Sequence, residues 1–141
     1  MRIDLSRRHF LASVGTAVAA LILPRRAAAE RWPAPPKHVH PTPRPDVDAS
    51  KVLTADELKD YADAVPIFDK IREIPEIADG IRCHCGCAGH PGFYSLLSCF
   101  EKDGMGTYCA TCHDEARLVF DLHKQGKTLD EIRAAICAKF D

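Results

Sequence analysis

Six of the chain's seven cysteines fall in the thirty residues from Cys83 to Cys112, and no other feature restricts its fold and chemistry so tightly. They are arranged as "CHCGC" (Cys83, Cys85, Cys87), an isolated Cys99, and "CATCH" (Cys109, Cys112, then His113). One residue in five is well above the level of about 8–10% that marks a disulfide or metal scaffold in a short exported chain. Ordinary packing does not account for it, and the sulfurs must be ligated, paired or hidden.

The N-terminus supplies the redox setting. Ser6-Arg7-Arg8-His9-Phe10-Leu11 is a twin-arginine export signal, followed by a modestly apolar run from Phe10 to Leu23 and an A-x-A cleavage pattern at Ala27 to Ala29. The run is short for a bilayer and diluted by Gly15, Thr16 and several alanines, so no stable membrane insertion is expected after cleavage before Glu30. The expected location is the periplasm, or outside the cytoplasm more generally. Without residues 1–29, which carry five basic and one acidic side chain, 14 basic and 19 acidic side chains remain, a net charge of −5. That balance argues against nucleic acid as a partner.

Three regions are expected: the signal (1–29), a Pro-rich linker (30–50) and a helical Cys-rich domain (51–141). The stretch "WPAPPKHVHPTPRPDVDAS" has no apolar periodicity and reads as a polyproline-like tether, with His38 and His40 solvated. Beyond it the patterns are helical. Thr54 and Glu57 form a capping box ahead of Leu58, Tyr61, Ala62 and Val65, and Pro66 is expected to end that helix. Pro75 opens a short helix in "PEIADGIRC", and "YSLLSCF" reads as another. Ala116, Val119, Phe120 and His123 give a helix from Asp114 to Gln125 that Gly126 stops. Thr128 and Glu131 cap a last helix with Leu129, Ile132, Ile136 and Phe140 on one stripe and Cys137 as a partly buried free thiol. No segment alternates as a strand, so the domain is expected to be all-α with an irregular, Cys/Gly-rich segment in its middle.

Three chemistries fit the cysteines. The first is a soft metal ion, Cu(I) or Zn(II), held by thiolates from Cys83, Cys85, Cys87, Cys99, Cys109 and Cys112 with His90 as a further ligand. A protein loaded before its thiols meet an oxidant has reason to use an export route for folded chains. The second is a set of three disulfides joining the first group to Cys99, Cys109 and Cys112, since pairing within C-x-C is strained. Such a stapled module would bind another exported protein. The third takes "CATCH" as a haem c site, with Cys109 and Cys112 as thioethers and His113 as proximal ligand. Its distal ligand would be Met105, His84, His90 or His123, and haem is normally attached to a chain exported unfolded. The metal reading is preferred, and the charged residues show no isolated pair suited to acid–base catalysis, so no enzymatic activity is expected.

The chain from about residue 74 resembles the bacterial family named for its PCYCGC motif, exported proteins that are often lipoproteins. The likeness rests on "RCHCGC" (82–87), His90, "SLLSCF" (95–100), the Cys109-x-x-Cys112 pair and "GKTLDEIRAAI". Arg82 stands where the motif has proline and His84 where it has tyrosine. The resemblance implies that the six cysteines act as one set.

Overall fold

The structure, a computed structural model, describes residues 39–141. The export signal, its cleavage pattern, His38 and the first part of the Pro-rich stretch lie outside the described residues. Among the described residues there are four α-helices: α1 (Val65–Glu73), α2 (Pro75–Asp79), α3 (Ala110–Lys124) and α4 (Leu129–Phe140). Three short 3-10 segments, Lys59–Ala64, Leu97–Phe100 and Met105–Thr107, join them. Among the described residues there is no strand, only an isolated bridge between Val52 and Glu101, so the all-α expectation holds. None of these helices is long and apolar enough to cross a membrane.

Helix α3 is the centre of the domain, with α1 on one side and α4 on the other. Its buried stripe, Cys112, Glu115, Ala116 and Val119, has the helical spacing of a core face. Around it stand Phe68 and Ile71 of α1, Ile132 and Ile136 of α4, and Leu96, Leu97 and Phe100 of the irregular segment. Phe68 meets Phe100 edge-on, with ring centroids 4.9 Å apart, an arrangement aromatic quadrupoles favour.

Several expected boundaries are displaced for physical reasons. The Thr54–Glu57 box forms its hydrogen bonds, but the chain then enters a 3-10 stretch broken at Tyr61 (φ −133°, ψ 45°). Pro66 stands in the first turn of α1 instead of ending a helix, because a first-turn residue needs no backbone donor. Helix α3 starts at Ala110, four residues early, since the Cys109 thiol caps it by accepting the Cys112 N–H at 3.4 Å. Pro75 and the Thr128–Glu131 box open α2 and α4 as expected. His123, placed by its spacing on the apolar face of α3, is half-buried.

The largest departure is the linker. Its described part, from Val39, is a strap fastened to the domain and not a free tether. Asp79, fully buried at the end of α2, accepts hydrogen bonds from the Arg44 backbone N–H (2.8 Å), Nε (3.1 Å) and terminal nitrogen (2.7 Å), and from the Ser95 hydroxyl (2.7 Å). Arg133 of α4 donates to the carbonyls of Pro41 and Gly80, and Tyr94 donates to that of Thr42. His40 accepts the Arg82 backbone N–H at Nδ1, which leaves the proton on Nε2, 3.2 Å from Cys137 Sγ. Prolines made the strap look solvated, but a proline-rich chain has little entropy to lose when side groups capture it.

Candidate metal centre

Four of the six mid-chain cysteines meet. The Sγ atoms of Cys83, Cys85, Cys99 and Cys112 all lie within 4.8 Å of one another. Cys83 stands 3.2 Å from Cys85 and 3.7 Å from Cys112. Three separate elements deliver them. Cys83 and Cys85 sit on the turn leaving α2, where Gly86 adopts φ +96° and reverses the chain; that value suits glycine alone. Cys99 comes from the 3-10 segment Leu97–Phe100, and Cys112 from the first turn of α3. Cys83, Cys99 and Cys112 are at most 2% exposed, and Cys85 is half-buried, so the cluster is closed on three sides.

Neighbouring groups brace the cluster at two points. Gly104 approaches Cys99 so closely that a Cβ there would lie 2.2 Å from the Cys99 carbonyl oxygen. Glu115, one turn beyond Cys112, is fully buried and accepts both the His84 backbone N–H (2.9 Å) and its ring Nδ1–H (2.6 Å) at Oε1. That carboxylate ties the middle of C-x-C to the helix that carries Cys112, an outer ring of support typical of ligand-positioning carboxylates. His84, stacked on Phe140, thus faces away from the sulfurs. Its Glu115 hydrogen bond outweighs desolvation and raises its pKa.

Contacts among the thiols set their acidities apart. Hydrogen bonds from Cys112, Cys83 and Cys99 hold Cys85 far below the ordinary thiol range. Cys83 is pushed well above it by Cys112 and then Cys85. Cys99 rises although Cys112 pulls it down, and Cys112 rises although Cys83 does, because Cys85 and burial act the other way on both. Four sulfurs this close, beside a buried carboxylate, ionise together only around a cation. The arrangement can hold a metal ion.

The remaining expected site residues stand outside this set of four, with Cys87 at its edge. Cys87 faces Met105, its Sγ 2.9 Å from Met105 Sδ, and burial followed by Cys85 pushes it up to about 12. Cys109 serves as the α3 cap. His90, expected as a ligand, is exposed on the surface beside Phe93, Tyr94 and Arg44; its backbone N–H bonds back to Cys87 in a turn that carries its ring outward. The cysteines are free thiols, and 3.2 Å between Cys83 and Cys85 exceeds the bonded distance of about 2.05 Å. The haem geometry would require Cys112 to leave the core, and His113 to leave the Gly106 carbonyl that its Nε2 contacts at 2.5 Å. Residues that the spacing of cysteines did not reveal are Glu115 and Met105 as a partner of Cys87. A glutamate inside the apolar stripe 112-116-119 was the available signal for the first.

No family model, curated protein or solved structure matches the chain.

Proposed function

We propose that the chain is an exported metal protein that holds one Zn(II) ion in a closed tetrathiolate centre formed by Cys83, Cys85, Cys99 and Cys112, acquired while folding in the cytoplasm and kept through twin-arginine export. The observation that carries this reading is the mutual approach of the four sulfurs within 4.8 Å in a buried setting. Tetrahedral ligation with Zn–S bonds of about 2.3 Å puts sulfurs about 3.8 Å apart, within the spread of this cluster. An iron–sulfur cluster, whose thiolates bind different irons, needs them wider. Cu(I) is the softer ion, but four converging thiolates and no thioether suit a tetrahedral divalent ion better.

A centre so enclosed retains its ion. Its role in this reading is to join the α2 exit turn, the Leu97–Phe100 segment and α3, so that metal binding and folding are one process. As part of the same proposal the chain is grouped with the PCYCGC-motif proteins, on the strength of the segments at 82–87 and 95–100.

Elemental analysis of protein purified anaerobically after export tests it. One zinc per chain is expected, falling below about one tenth in Cys112→Ser. Full zinc occupancy in that variant, or a wild-type protein that folds and binds none, would refute the centre.

A further inference from the structure

Beside the tetrathiolate centre, three sulfurs that it does not use share one corner of the molecule. Cys87 ends the CHCGC turn and directs its thiol at Met105 Sδ, 2.9 Å away. Met105 opens the 3-10 segment Met105–Thr107, and its carbonyl accepts the Cys109 backbone N–H at 2.9 Å. The Cys109 backbone is thereby held against Met105, with the Cys109 thiol at the start of α3. Cys87 is buried, whereas Met105 and Cys109 are each half-buried, so the corner opens to solvent on one side.

A thioether has no proton to lose and little attraction for hard ions, and its softness selects monovalent thiophilic metals. We propose that Cys87, Met105 and Cys109 form a second, solvent-accessible site for Cu(I), adjoining the tetrathiolate centre at Cys87. With a metal–sulfur bond near the Zn–S value of about 2.3 Å, sulfurs around one ion stand roughly 3.8–4.0 Å apart. The Met105 side chain therefore has to withdraw by about 1 Å, which its three rotatable bonds permit. Two thiolates balance the single charge of the ion with one to spare, and the open side lets it come and go. The enclosed centre would then maintain the fold while the outer one exchanges its ion.

The chain contains two methionines, Met1 and Met105, so a methionine-methyl carbon label gives two resonances that Met105→Leu assigns. Ag(I), a redox-stable stand-in for Cu(I), is titrated into the labelled full-length protein while released zinc is followed. The first equivalent is expected to shift the Met105 methyl and leave zinc bound. Cys87→Ser and Met105→Leu are each expected to weaken Ag(I) binding about tenfold or more, with zinc content and thermal midpoint unchanged. A Met105 methyl that stays still, a shift that persists in Cys87→Ser, or zinc release with the first equivalent overturns the site. A chain that carries no zinc refutes the tetrathiolate reading alone, since the methyl resonance still reports on this one.

Discussion

Cys85 differs from its three partners in being half-buried and in receiving hydrogen bonds from all of them. Its thiol is held below the ordinary range, while those of Cys83, Cys99 and Cys112 are pushed above it. A divalent ion entering the cluster must displace the protons the thiols carry, so its affinity rises with pH. Calorimetry in buffers of different ionisation enthalpy reads the proton release directly, and a release close to zero would mean that the ion binds elsewhere. The cysteines themselves were legible in the sequence, because so many thiols in thirty residues have few other uses. Which four converge was not. Alternate positions in C-x-C-x-C share a face only if the segment stays extended, and Gly86 turns the chain between Cys85 and Cys87, sending the third thiol to Met105. Nothing in "CATCH" distinguishes Cys109, which caps a helix from outside, from Cys112, which lies in its first turn.

At the level of elements, the centre depends on segments that have little regular structure of their own. Leu97–Phe100 is a single 3-10 turn, and Cys99 keeps its place because the Gly104–Gly106 backbone presses against its carbonyl. Gly104→Ala forces a Cβ to within 2.2 Å of that oxygen unless the chain shifts; overpacking of this kind costs about 1–3 kcal/mol. The expected outcome is a lower thermal midpoint together with weaker zinc retention against a chelator. Loss of stability with unaltered zinc retention would show that Cys99 is not positioned by this contact. The helices that bear apolar stripes, α3 and α4, were readable from periodicity. The strap was not, because its attachment runs through backbone carbonyls and one buried carboxylate, groups that leave no periodic trace in the sequence.

Across the whole domain, the Arg44–Asp79 pair links the strap, the end of α2 and Ser95 ahead of Cys99. Burial pushes the Asp79 carboxyl upward, but the Arg44 guanidinium and backbone N–H and the Ser95 hydroxyl outweigh it and hold it below its ordinary value. A depressed carboxylate adds stability that is complete above about pH 4 and is lost as pH falls through its folded-state value. Asp79→Asn should therefore be less stable at neutral pH by about 2 kcal/mol, under the range for a fully enclosed pair because Arg44 remains 38% exposed, and should show a shallower decline in acid. Thermal midpoints of both proteins against pH decide it; parallel curves would contradict the assignment. The proposed export and the proposed metal centre belong together, since a chain folded around its ion before export would arrive with its four inner thiols already protected. The most direct test of that centre is X-ray absorption at the zinc edge of the purified full-length protein. A first shell of four sulfurs at about 2.3 Å, unchanged in Cys87→Ser, is the predicted result. A shell containing nitrogen or oxygen, or one that loses a sulfur when Cys87 is replaced, would contradict it.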